Sequence, residues 1–259
     1  MTSPSTHALR WPCDTCASKQ APVRTSRLAW KLSLLLLVNV ALLTGPSLGA
    51  RAADRATWVL GTHYDELPTK HTSIGGSDRK VHVMEFFWYS CGHCDTFEPL
   101  LQRWIRLNRD RIEVTYVPVT WDVPQMADAR LFYTLQYLGR LDLHQEVYDT
   151  VHRRKIRLMA PYWDNTKETQ AIQYRWATSE GIPTTAFASA YNSRYVSNAL
   201  TSATRLGKEF KIIHSPSVVV GGRYVTDRER AGGNQELIDL VDFLARRLNS
   251  DDSGSPDTQ

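Results

Sequence analysis

The sequence predicts an α/β fold interrupted by a helical insertion, and three observations predict it. Residues 81–121 read strand, Cys-x-x-Cys, helix, strand, which is a right-handed βαβ unit with the cysteines at the helix start. From Pro124 to about Lys211 strand patterning disappears. It returns at Ser217–Val220, turns at Gly221-Gly222 and continues over Arg223–Thr226 as a hairpin, before an amphipathic closing helix over 234–248.

Each element has its own signal. Residues 53–75 read as extended and loop-like, with a short strand around Trp58–Leu60. "VHVMEFFWY", Val81 to Tyr89, carries apolar residues on both parities, as a central strand covered on both faces does. In "CDTFEPLLQRWIRL", Phe97, Leu100, Leu101, Trp104 and Leu107 recur at helical spacing, and Pro99 inside the pattern predicts a kink. "RIEVTYVPVTW", Arg111 to Trp121, is the second strand. The roughly 85 residues that follow are too long for one crossover and predict a small helical subdomain. Within them one helix ends at Gly139, and another opens at Asn165-Thr166 and stops at Gly181. The plan is therefore a leader (1–52), a first sheet segment with the CxxC (53–122), an inserted helical subdomain (123–211), a second sheet segment (212–249) and a disordered tail (250–259).

The leader reading rests on order. Arg24, Arg27 and Lys31 precede the 12-residue apolar run "LSLLLLVNVALL", and small residues follow in "TGPSLGARAA". That is the layout of a secretory signal, with cleavage after Gly49, Ala50 or Ala52. A retained anchor is the alternative, but the run is short of the roughly 20 residues a span needs. The leader holds six of the 31 basic residues and one of the 27 acids, leaving 25 and 26 and a net charge of −1. The basic character of the whole chain belongs to the leader, and nothing in the remainder points to nucleic acid.

The same cut removes Cys13 and Cys16 of "WPCDTCASK", a second pair at CxxC spacing. Both pairs together would suit a Cys₄ zinc clip only if the leader were folded structure, which its composition opposes. An exported chain of about 200 residues buries enough core to need no staple. Cys91 and Cys94 are left as a reagent. A thiol attacks as thiolate, so the question is what lowers its pKa. The helix start offers free N–H groups and a positive dipole end, His93 stands beside the sulfur, and the Cys94 thiol is spaced to donate to Cys91. Cys91 is then the attacked sulfur, and Cys94, one turn in, the resolving thiol that frees the substrate. A shift of about 3 pH units is worth roughly 4 kcal/mol, and stabilising the reduced form makes the disulfide a stronger oxidant.

Glu85 sits in an otherwise apolar strand. It is a water-exposed edge residue, or a residue with a partner such as Lys80, or a buried proton acceptor for Cys94. Glu98 reads as a solvated helix-face residue. Cys91, His93 and Cys94 are too close in sequence to close a tetrahedral metal site, and no metal is expected. His63, His71, His82, His144, His152 and His214 read as surface or packing residues. Pro216 opens a strand, in a trans bond or in a cis turn.

"EFFWYSCGHCDTFEP" resembles the active-site segment of DsbA-type thiol:disulfide oxidoreductases. "GTHYDEL", "LDLHQEVYDTVHR", "SEGIPTTAFASAYNS", "SPSVVVGGRYV" and the closing helix are similar to the same family, so the likeness runs from Trp58 to Leu248. It implies a thioredoxin-like fold with an inserted α-helical subdomain, no cofactor, and a periplasmic, monomeric enzyme that introduces disulfides into reduced exported proteins. In the family the position of Cys91 forms the mixed disulfide and that of Cys94 resolves it. A buried glutamate at the position of Glu85 assists proton transfer. A cis proline, here Pro216, packs on the disulfide, and the residue before it, here Ser215, offers its backbone to the peptide. A quinone-linked membrane protein, DsbB, reoxidises the pair. Two departures stand out. Gly92-His93 replaces the usual Pro-His, as in protein disulfide isomerase, and Ser215 replaces Val or Thr. They imply an oxidant weaker than the strongest members, between about −120 and about −180 mV. A reductase or isomerase of the same fold is the near alternative. A noncatalytic peptide-binding or metal-handling module is the distant one.

Overall fold

The computed structural model describes residues 58–68, 80–162 and 165–253. The expected leader (1–52), Cys13, Cys16 and His71 lie outside the described residues.

The central strand forms as its two-faced apolar pattern requires. β2 (Val81–Phe87) is buried at every position. It pairs in parallel with β3 (Ile112–Pro118) and antiparallel with β4 (Ser217–Val220), which turns through Gly221-Gly222 into β5 (Tyr224–Asp227). Both glycines have positive φ, +60° and +59°, which a side chain would resist. The sheet order is β1-β5-β4-β2-β3. β1 is the short Asp65–Glu66, pairing with β5. The strand expected at Trp58–Leu60 is thus displaced. Only Leu60 bridges there, to Tyr64, because the chain turns through Gly61 (φ +83°) before it reaches the sheet edge.

α1 (Gly92–Asn108) continues through Pro99 and packs Phe97, Leu101 and Trp104 against β2 and the closing helix α8 (Asn234–Ser253). Its buried stripe differs from the expected one. Leu107 is 74% exposed, while Cys94 and Glu98 are buried. Trp104 donates to Asp242 at 2.9 Å, tying α1 to α8. α8 also runs on to Ser253, so the tail expected to be disordered from residue 250 begins as helix.

Between β3 and β4 come α2 (Val123–Tyr137), a 3₁₀ turn (Leu141–Leu143), α3 (His144–Tyr148), a π-helical turn (Asp149–Arg153), α4 (Thr166–Ser179), α5 (Thr184–Tyr191) and α6 (Arg194–Glu209). Asn165 caps α4 by accepting from Glu168 N–H at 3.1 Å. This helical layer covers the other side of β2. Phe87 anchors that side, with Tyr89, Tyr116, Phe132 and His144 edge-on to its ring at centroid distances of 5.1, 6.1, 5.2 and 5.1 Å. A short four-residue helix, α7 (Arg228–Ala231), links β5 to α8.

Phe87 joins the sheet to the helical layer, and deleting it leaves a cavity. Phe87→Ala is expected to lose about 3–5 kcal/mol, seen as a lower urea midpoint with an unchanged slope. A loss below about 1 kcal/mol would show that the two layers do not depend on this ring.

Candidate active site

β2 ends at Phe87, and the chain makes one turn before α1. The Cys91 N–H donates to Trp88 C=O at 3.0 Å, and Cys91 itself is the N-cap, with extended backbone (φ −83°, ψ 117°). The first-turn N–H groups of α1 therefore converge on its sulfur. Both cysteines are free thiols, Cys91 partly exposed and Cys94 buried.

The two thiols have opposite acidities. The Cys91 pKa is lowered to about 5. The chief cause is the hydrogen bond from the Cys94 thiol. The Cys94 backbone N–H, the Ser215 side chain and the His93 backbone N–H add to it, against partial burial. Burial pushes Cys94 well up, and its hydrogen bond to Cys91 pushes it further. His93 therefore acts on the sulfur through its backbone, while its side chain is exposed.

The Ser215–Pro216 bond is cis, and the Ser215 carbonyl oxygen lies 3.5 Å from Cys91 Sγ. His93, His214, Ser215, Pro216 and Arg228 line a small cleft of about 90 Å³ there. Exposed Trp121 and Ile213 border it, giving the cleft an apolar rim.

Glu85 is fully buried on the central strand, which overturns the edge reading; Lys80 instead donates to the Arg109 carbonyl. Its carboxyl is pushed well up by burial and by the neighbouring Glu98 and Cys91 charges. Glu98 is also not the solvated residue expected. It is 1% exposed and accepts from Gln102 at 2.8 Å and from the Tyr116 hydroxyl. The helical layer supplies three further groups: His144 and His152, which the sequence reads as surface or packing residues, and Asp128, which the sequence reading passed over. His144 shares a 2.8 Å hydrogen bond with the Tyr89 hydroxyl, His152 donates to the Tyr89 carbonyl at 2.7 Å, and Asp128 accepts from Ser90 at 2.9 Å. Burial raises the Asp128 pKa to about 7. Spacing held the signal. Cys94, Phe97, Glu98 and Leu101 form one helical stripe, and so do Asp128, Leu131, Phe132 and Leu135.

The depressed Cys91 pKa sets a sign. Its stabilisation of the reduced protein is complete above the unfolded thiol pKa, about 8.5, and is lost as pH falls through about 5. Thiolate absorbance of the reduced protein is expected to titrate with a midpoint near pH 5, with iodoacetamide reactivity following the same curve. A midpoint between about 8 and 9 would remove the Cys94-to-Cys91 hydrogen bond as an effective interaction.

No family model matches the chain, but individual proteins do. It is 30% identical over 220 residues to the thiol:disulfide interchange protein DsbA of Azotobacter vinelandii, covering 83% of this chain and 98% of that one. Identity to the DsbA of Bordetella pertussis is 31% over 166 residues, covering 64% and 75%. The fold superposes on the crystal structure of Pseudomonas aeruginosa DsbA with a TM-score of 0.66 at 24% identity, covering 76% of this chain and 97% of that one. With this extent of identity and a matching fold, the chain belongs to the DsbA family of thiol:disulfide oxidoreductases.

Proposed function

We propose that this enzyme introduces disulfides into exported proteins through Cys91 and Cys94, in the periplasm and as a monomer, and that a DsbB-like membrane protein reoxidises it. The observation that carries the site assignment is the pairing of a partly exposed acidic thiol, Cys91, with a buried reluctant one, Cys94. The signal-like leader supports export, and among the described residues no helix is long and apolar enough to cross a membrane.

In the oxidising direction, a substrate thiolate attacks Sγ of Cys91 in the Cys91–Cys94 disulfide. The S–S bond breaks, Cys94 leaves with the electron pair and takes up a proton, and Glu85 is the buried carboxyl beside it. The substrate is now bonded to Cys91. Its second thiolate attacks its own bonded sulfur and expels the Cys91 thiolate, an excellent leaving group because its pKa is low. The substrate has lost two electrons and the enzyme holds them as two thiols. Electron balance therefore corrects the part expected of Cys94. Its attack on Cys91 returns the substrate reduced, so in oxidation it is the leaving group. It is the attacking thiol when a disulfide-bonded adduct at Cys91 must be cleared and during reoxidation. Ser215 and Pro216, beside Cys91, form the surface on which the peptide rests.

Cys91→Ser is expected to abolish oxidation of a reduced dithiol peptide. Cys94→Ser, offered proteins that already carry disulfides, is expected to accumulate mixed disulfides at Cys91, because the Cys91 thiolate attacks the partner's S–S bond and no second thiol clears the adduct; they are seen as higher-mass bands that disappear with reductant. Activity retained by Cys91→Ser would overturn the mechanism.

A further inference from the structure

Trp121 belongs to two cavities. It borders the cleft of about 90 Å³ beside Cys91, together with Ser215 and Pro216. It also borders a second, open pocket of about 630 Å³ in the helical insertion. That size falls within the roughly 300–1,000 Å³ of ligand pockets.

The ring that joins the two cavities is held in place. Trp121 stands between the end of β3 and Asp122, the N-cap of α2. Its Nε1–H donates to the carbonyl of Ile212 at 3.1 Å, in the segment that leads to Ser215 and Pro216. The residue is nonetheless 42% exposed. A large aromatic face held rigid in water loses little freedom when a ligand covers it.

The pocket beyond the indole has apolar walls. Val123 and Met126 come from the start of α2, and Tyr191 from the end of α5. Arg130 lies over the Tyr191 ring at 5.3 Å and donates to the Tyr191 carbonyl at 3.0 Å, which fixes that wall. Arg130 and Lys167 are two cations against one acid, Asp122, among the described residues of the lining. Such a site suits an aromatic or aliphatic side chain and disfavours a cationic one.

We propose that this pocket is a specificity subsite for the substrate polypeptide: a bulky apolar side chain near the reacting cysteine crosses Trp121 and enters it. The proposal rests on the disulfide-introducing function given above. The occupant follows from continuity with the cleft. A chain bonded to Cys91 lies where Trp121 forms the border. An extended chain advances about 3.3 Å per residue, so about two or three residues carry it across the indole. An aromatic side chain there leaves water for the pocket, whereas an alanine leaves the walls wet.

The test follows oxidation of reduced Cys-x-x-Cys peptides by the disulfide form of the full enzyme. Phe, Ala or Lys is placed in turn at each position flanking the cysteines. Wild type is expected to favour Phe over Ala by about tenfold in kcat/KM at one flanking position, with Lys no better than Ala. Each variant is judged by its own Phe-to-Ala ratio, which a general loss of activity does not move. Trp121→Ala and Val123→Asp are each expected to bring that ratio within about twofold of unity. Val123 opens α2, where an aspartate suits the helix start, so the second variant keeps the fold. Trp121→Phe keeps a ring but loses the bond to Ile212, and is expected to retain at least about half of the preference. A wild-type ratio below about twofold at every position, a Lys peptide favoured over Ala, or a preference that survives in Trp121→Ala or Val123→Asp would overturn the proposal and leave the Cys91 mechanism standing. Loss of the preference in Trp121→Phe would overturn it too, by assigning the effect to the Ile212 bond. Wild-type enzyme that oxidises none of the peptides would overturn the Cys91 mechanism itself.

Discussion

The hydrogen bond from the Cys94 thiol to the Cys91 thiolate governs the rest of the site. It is the largest cause of the Cys91 pKa near 5, and it also raises Cys94. At pH 7, two units above that value, it and its accessory donors favour the reduced protein by about 3 kcal/mol, since each pH unit is worth about 1.4 kcal/mol. For a two-electron couple that is about 60 mV towards oxidising power. The disulfide form lacks the interaction altogether, so the fold makes an oxidant by preferring the product of its own reduction.

The fold serves this one interaction from both sides. β2 holds Glu85 below the sulfurs, and β4, entered through Pro216, brings Ser215 to Cys91. The helical layer grips the segment just before the nucleophile through Tyr89 and Ser90, by His144, His152 and Asp128. Each of these groups acts on backbone or side chains next to the cysteines and leaves Cys91 accessible. The helical insertion is therefore part of the active site as well as a cover for the sheet.

Much of this was legible in the sequence. A two-faced apolar strand, a CxxC at a helix start and a Gly-Gly hairpin are local signals, and β2, α1, β4 and β5 formed where they predict. What was misread depends on which way a helix faces after packing. Glu98 looks like a surface residue by type, yet its position four after Cys94 puts it on the buried stripe. His144 falls at the junction of a 3₁₀ turn and a five-residue helix, too short for periodicity to show its burial. Leu107 erred the other way, since helical spacing does not say where the partner surface ends. The Ser215–Pro216 bond is cis, and no local pattern distinguishes a cis proline from a trans strand start.

The reduction potential of the Cys91–Cys94 pair, followed from pH 6 to pH 8, tests the central claim most directly. Between about 5 and 8.5 the reduced form carries one thiolate and one thiol, so two electrons arrive with one proton. The potential is expected to lie between about −120 and −180 mV at pH 7 and to fall by about 30 mV per pH unit. A slope of about 59 mV per unit would show that both thiols are protonated, and either that slope or a value near −270 mV would show that the Cys94-to-Cys91 hydrogen bond does not drive the chemistry.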